Sequence, residues 1–380
     1  MGAQSHTNTG AVSMSSHAHH RVLYLLRYYP TLSETFVYEE IRELRRQGHE
    51  VTIASLGARE DGRGHPDHPT PDRLAIPRRP LVGKLSPAST GGRFLREHQR
   101  PKDAARLPWI RQKAASFDRI HVHFAGEAAE FAHAIWLDRK IPYSVTVHAS
   151  DLFKPRPSLA TVLKSAAAVL TISEYNQIAL RKLGLDAQVV HCGPRLADWD
   201  LAPAPPGPLS VLSVGRNVPK KGFDLLLQAW ESSKVANREG TLTIIGDLKK
   251  TNLPSGVRVL GPCSPQDVRQ AMEAANLFVL ACRRAPDGDM DGIPLAIMEA
   301  LAASRAVIST RISGIPELIN DEVGWLVSPD QVEEFAKTLN EAENTRTRTE
   351  KGKKGTNRLM SRQFTLKHQV EGLISTWIDT

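Results

Sequence analysis

Short β-rich runs alternate with stretches of helical periodicity along almost the whole chain, and that alternation leaves few folds open. In the first half, 22–26, 51–55, 119–123, 143–148, 168–172 and 188–191 read as strands, with helices near 34–47, 126–138, 158–165 and 174–183. The second half repeats the scheme. Its strands fall at 210–214, 241–246, 257–260, 276–280, 306–309 and 325–327, and its helices near 222–235, 265–274, 293–303, 315–319 and 331–345. Strands joined through helices pair in parallel, and the helices cover both faces of the sheet. Between the halves, Leu201–Pro208 carries four prolines and reads as a stiff linker. At 380 residues, each half is long enough for its own core. The expected order is a disordered tail (1–20), a first α/β domain (21–196), a linker (197–209), a second α/β domain (210–360) and a C-terminal segment (361–380). Thr31 and Glu34 have capping-box spacing at the first helix, and Gly48 stops it.

The run Asp291-Gly292-Ile293-Pro294-Leu295-Ala296-Ile297-Met298-Glu299 turns from an acidic loop (Asp287, Asp289, Asp291) into an apolar helix. Asp291 and Glu299 are eight residues apart, a little over two helical turns, so both carboxylates can face one cleft. Between them lie the free N–H groups of a helix start, which attract anions. Such a site suits a ligand with hydroxyls at its ends and phosphate in the middle, as a nucleotide sugar has. The same run also reads as a capped core helix behind a solvated acidic loop. A second run, Ser210–Leu227, reads as strand, loop and helix, with Arg216 and Lys221 on the loop. Open parallel sheets bind ligands at the carboxyl ends of their strands, and two cations there would hold a diphosphate. Two solvated surface cations are the other reading.

These runs, with Val214-Gly215-Arg216, Lys220-Lys221-Gly222 and the acid-x7-Glu spacing, resemble the family 4 retaining glycosyltransferases. The resemblance continues in Tyr29-Pro30-Thr31-Leu32-Ser33-Glu34-Thr35-Phe36, similar to a signature of the branch that builds colanic-acid-type and other exopolysaccharides. It extends to His121-Val122-His123-Phe124 and His148-Ala149-Ser150-Asp151. It implies the GT-B architecture: two Rossmann-like domains facing across a cleft, with the C-terminal helix returning to the first. Residues 364–378, with Phe364, Leu366, Val370, Leu373 and Trp377, have the amphipathic spacing for that docking.

The resemblance also implies roles. Arg216 and Lys221, with Gly215 and the N–H groups of Ile293 and Leu295, would take the diphosphate; Pro294 has no N–H to offer. Glu299 would accept from the ribose hydroxyls. Asp291, standing where the family has Glu, would grip the transferred sugar. His148 would touch the reacting sugar, and Ser33, Glu34 and Thr35 would sit on the acceptor side. No cofactor and no metal are expected beyond the nucleotide-sugar donor, with UDP and GDP both open as its base. Asp287, Asp289 and Asp291 only mimic a metal motif, and His121 and His123 point the same way from one strand without an apparent third ligand. The implied reaction is transfer with retention, to a glycan or lipid-linked acceptor. An inactive GT-B subunit, or another GT-B enzyme such as a nucleotide-sugar epimerase, is the alternative.

Charge adds one feature. Of the net +8, a net +7 falls within residues 59–113, among prolines and glycines, with short helices expected near 92–99 and 103–116. With no interleaved aromatics it does not read as a nucleic-acid surface; an anionic membrane face suits an enzyme that extends lipid-linked chains, and a solvated loop is the other reading. No apolar run is long enough to span a bilayer, and Cys192, Cys263 and Cys282 form no CxxC. A cytoplasmic protein, peripheral on the inner face of the membrane, is expected.

Overall fold

A computed structural model describes residues 19–31, 34–57, 73–76, 89–249 and 252–378; residues 1–18 of the expected tail, Ser33 and most of 59–88 lie outside them. The first sheet is built from β1 (Arg21–Tyr28), β2 (Glu50–Gly57), β3 (Arg73–Ala75), β4 (Arg119–His123), β5 (Tyr143–Val147), β6 (Ala168–Thr171) and β7 (Gln188–Val189). The second is built from β8 (Ser210–Val214), β9 (Thr241–Ile245), β10 (Val257–Gly261), β11 (Leu277–Leu280), β12 (Ala306–Thr310) and β13 (Gly324–Val327). Their orders are β3-β2-β1-β4-β5-β6-β7 and β10-β9-β8-β11-β12-β13, paired in parallel. Both contain the 3-2-1-4-5-6 order of a doubly wound fold. The order reverses at β1/β4 and at β8/β11, and a crevice opens beyond the strand ends there.

The central strands are buried on both faces, so β5 and β12 are covered along their whole length. Around the second sheet one core gathers Leu212, Trp230, Phe278, Leu301 and Phe335. The first sheet has a core on each face. One holds Leu23, Ile120, Phe131 and Val145. The other is completed by the C-terminal helix, Leu366–Ile378, whose Leu366, Val370, Leu373 and Trp377 pack on Val22, Tyr24 and Ile41. Arg119 donates to Trp377 O at 2.8 Å, which fixes the end of that helix. Phe364 does not belong to the helix: it joins the second domain's core and stacks on His191 with ring centroids 3.8 Å apart.

Three local expectations fail. The first helix, Thr35–Arg46, starts one residue after Glu34, which therefore occupies the cap position itself; Glu34 N–H bonds Thr31 O at 3.1 Å, and no capping box forms. The helix expected over 331–345 ends at Glu341, because Asn344 accepts the Thr347 N–H and starts a new helix, Thr345–Lys353. Strand β3, three residues in the Pro-rich segment, was not expected. The two helices of the basic segment are present, at Thr90–Glu97 and Pro101–Ala114.

The domains meet at the carboxyl ends of their strands. A Cβ on Gly292 would lie 2.8 Å from Ile172 and 3.7 Å from the Ala149 Cβ. The Glu317 carboxylate accepts from the Glu174 and Tyr175 N–H groups at 2.9 and 2.8 Å, capping a helix of the first domain from the second.

Candidate active site

At the end of β8 the chain turns through Gly215 and a short 3₁₀ turn, Pro219–Lys221, into the helix Phe223–Ser232. Gly222 makes the turn possible. Its φ is +63°, and a Cβ there would stand 1.9 Å from Ala281 O, so the loop is pressed onto the end of β11. Gly215 gives the Lys221 side chain room: a Cβ would be 3.3 Å from its Cδ. Lys221 is thereby drawn inward, while Arg216 stays exposed and, among the described residues, makes no ion pair.

The sequence suggested a solvated acidic loop; Asp287 does stay exposed, but each of the three acids meets a lysine, and Asp289 and Asp291 are largely withdrawn from solvent. Asp287 pairs with Lys154 of the first domain, and Asp289 with Lys220 at 3.1 Å. Asp291 pairs with Lys220 at 3.2 Å and Lys221 at 2.7 Å. Burial works against the Asp291 charge, yet the two ammonium groups hold its carboxyl below the usual range; Asp291 likewise keeps the Lys221 pKa raised against desolvation. Lys220 was missed in the sequence because its neighbour Lys221 fitted the family role.

The motif helix, Leu295–Ala302, begins behind Pro294. Among the described residues, the N–H groups of Ile293 and Leu295 have no hydrogen-bond acceptor, so both are open to an anion. Among the described residues the Glu299 carboxylate, one turn further, has no hydrogen-bond donor or ion-pair partner; burial pushes it up to about 7, and Arg269 offsets this only partly.

On the opposite side stands His148, which follows β5 and is buried. Its ring lies 5.1 Å from Phe36 of the Ser-Glu-Thr-Phe segment and 4.3 Å from Phe124, which holds a left-handed φ of +68°. Burial first, then His123, lower its pKa well below the ordinary value. Asp151 accepts the His148 N–H at 2.8 Å and so orients the turn. Glu34 and Thr35 stand at the helix start beyond β1. His121 and His123 do have a third companion: Glu40, far off in sequence, brings the three ligand-type atoms within 4.8 Å of one another. Nothing in the sequence singled out Glu40, one acid of the pair Glu39-Glu40 on an amphipathic helix.

The structure thus brings Gly215, Arg216, Lys221, Asp291, Ile293 and Leu295 to the second sheet's switch point, with His148 on the facing domain. Two doubly wound domains apposed at their strand ends, with the last helix returned to the first, define the GT-B class. Residues 33–197 match the model "Glycosyltransferase Family 4" and residues 202–358 the model "Glycosyl transferases group 1". The chain belongs to the glycosyltransferases that join these two domains. It is 34% identical to an amylovoran biosynthesis glycosyltransferase of Erwinia amylovora, over 45% of this chain and 46% of the relative. It is 32% identical to a putative colanic acid biosynthesis glycosyltransferase of Escherichia coli, over 43% and 41%. These matches span less than half the length of those relatives. Among solved structures, the Anabaena protein HepE in complex with UDP and glucose superposes with a TM-score of 0.73 at 17% identity, over 95% of this chain and all of HepE. Sucrose-phosphate synthase from Thermosynechococcus elongatus gives 0.70 at 17%, over 94% and 98%.

Proposed function

We propose that this chain is a retaining, metal-independent hexosyltransferase that moves a sugar from a nucleotide-sugar donor to a glycan or lipid-linked acceptor, in building a cell-envelope or exported polysaccharide. The observation that carries the reading is the cationic loop after β8, set beside the open N–H groups of Ile293 and Leu295 and facing His148. As the anomeric C–O bond breaks, negative charge gathers on the departing diphosphate. Fixed cations and N–H donors that need no reorganisation stabilise that charge. Arg216, without a protein counterion among the described residues, is the group most open to the phosphate; Lys221 would exchange part of its contact with Asp291 for it. Glu299 accepts from the ribose hydroxyls. Asp291 then serves first as the counterion that presets the two lysines, and secondly as the group next to the transferred sugar.

Metal independence is supported by the pairing of each loop acid with a lysine, which occupies the carboxylates that would ligate an ion. The names of the relatives support an exopolysaccharide product, and the UDP bound to HepE makes UDP-sugars the first donors to try. No described helix is long and apolar enough to cross a membrane. The basic segment 59–113 would bring the enzyme, from the cytoplasmic side, to an anionic membrane carrying the acceptor. The test is a panel of UDP- and GDP-sugars with a lipid-linked or oligosaccharide acceptor in chelator, with the new linkage read by NMR. A product that keeps the donor's anomeric configuration is expected; an inverted product, or activity only with added divalent metal, refutes the mechanism.

A further inference from the structure

The two domains meet at a helix that the first domain starts and the second completes. Glu174–Lys182 follows β6, with Ser173 in extended backbone at its cap position. The Asn176 N–H bonds the Ser173 hydroxyl at 3.1 Å. The N–H groups of Glu174 and Tyr175 are open donors of that first turn, and the two carboxylate oxygens of Glu317 meet them at 2.9 and 2.8 Å. Glu317 is itself anchored. Its carbonyl accepts from Arg358 Nη2 at 3.1 Å, and the Leu318 carbonyl accepts from Arg358 Nε at 3.0 Å. Arg358 lies on the helix Gly355–Ser361, just before the chain returns to the first domain. Beside this cap the two backbones approach closely. A Cβ on Gly314 would stand 2.9 Å from the Ser173 Cβ on one side and 2.9 Å from Ile293 Cγ1 on the other. Gly292 faces Ala149, the residue after His148. The seam thus runs from the capped helix to Ile293 and on to His148.

We propose that Glu317 is a positioning residue: by completing the cap of a first-domain helix it sets the separation of the two domains, and with it the distance from His148 to the N–H groups of Ile293 and Leu295. The inference rests on the reading of those groups as the sugar side and the diphosphate side of one reaction. A carboxylate that takes two backbone N–H groups at a helix start makes charge-assisted, directional bonds. A shift of about 1 Å along them would carry both past hydrogen-bond range, so the cap forms at one separation only. Two further polar contacts cross the seam, Lys154 with Asp287 and Arg362 with Glu174, and they join exposed, flexible side chains that tolerate many separations.

The test reads the separation directly in the full chain. Spin labels go on Asp186→Cys and Lys337→Cys, both exposed, in a Cys263→Ser background, since the other two cysteines are buried. Double electron–electron resonance should give one narrow distance distribution for the otherwise unaltered chain. Glu317→Gln turns one acceptor oxygen into a donor that faces an N–H. It should broaden the distribution and lower kcat about tenfold, with UDP or GDP affinity unchanged, because misplaced reacting groups lose rate and not diphosphate binding. Glu174→Pro breaks the cap from the other domain: proline at the first helical position removes that N–H and keeps the helix, and extended Ser173 suits a following proline. It should act in the same direction, and the two losses should not add in the double variant. Arg362→Ala removes only the exposed pair with Glu174 and should leave distribution and rate unchanged. A narrow, unshifted distribution in both Glu317→Gln and Glu174→Pro would overturn the proposal, and so would a broadened one with wild-type kcat. Loss of diphosphate affinity in Glu317→Gln would also overturn it, by placing the residue's role in the donor pocket. Glu174→Pro decides if Glu317→Gln does not fold. Because the distances need no turnover, an absence of sugar transfer would refute the functional reading without altering them.

Discussion

Glu299 carries a prediction in which sign and size both come from its surroundings. Burial raises its carboxyl to about 7, with Arg269 only partly offsetting the effect, and among the described residues no donor meets it. A ribose diol donates two hydrogen bonds, and only the ionised carboxylate accepts both. The ionised fraction is then about one in ten at pH 6 and about nine in ten at pH 8, so nucleoside diphosphate should bind about tenfold more tightly at pH 8, or about 1.4 kcal/mol. Glu299→Gln removes this dependence. Calorimetric titration of UDP and GDP from pH 6 to 8 into both proteins isolates it, because the ligand's own phosphate titration cancels between them. The folded pKa lies above the unfolded value of 4.5, so the stability linked to this group is full below about 4.5 and is lost as pH rises through about 7. The ligand-free Glu299→Gln protein should therefore melt higher than wild type at pH 8 and not at pH 5. Equal pH slopes of affinity in the two proteins would refute the ribose assignment.

Further outcomes follow from the same geometry. Arg216→Ala and Lys221→Ala should each lower kcat/KM about 10²–10³-fold, as loss of one preorganised donor does, and near-normal turnover in both would remove the phosphate clamp. Asp291→Asn leaves Lys221 without its 2.7 Å counterion, so thermal melting should fall and UDP or GDP should bind more weakly; tighter binding would mean that Asp291 competes with the ligand more than it presets the lysines. Co-sedimentation with anionic vesicles should be strong at low salt and fade at high salt, since the Debye length shortens to about 3 Å at 1 M. Arg100, Arg106 and Arg111 already pair with Asp103 or Asp138, so substituting the exposed Lys102 and Lys113 should weaken binding most.

Much of this was legible in the sequence because it is local. A β-rich run ending in Val-Gly-Arg places Arg216 at a strand end, and the Pro-rich linker separates the halves. The missing parts lie in contacts between distant segments. Lys154 meets Asp287 across the domain boundary, 133 residues on, so the acidic loop looked solvated. Glu40 meets His123 across 83 residues, and nothing in Glu39-Glu40 shows which acid turns inward. Thr345–Lys353 has almost no apolar residues to give it periodicity. It packs through Gly352, where a Cβ would be 2.3 Å from Ser304 O, and through buried Arg348, which donates to Ala342 O at 2.6 Å.

The central claim is a division of labour: the second domain holds the nucleotide diphosphate and the first acts on the sugar. It is tested most directly by measuring free UDP or GDP binding by calorimetry, beside donor turnover, in Lys221→Ala and His148→Ala. Loss of diphosphate affinity in Lys221→Ala is predicted, with His148→Ala binding like wild type while its kcat falls. Loss of diphosphate binding in His148→Ala, with binding intact in Lys221→Ala, would contradict the account.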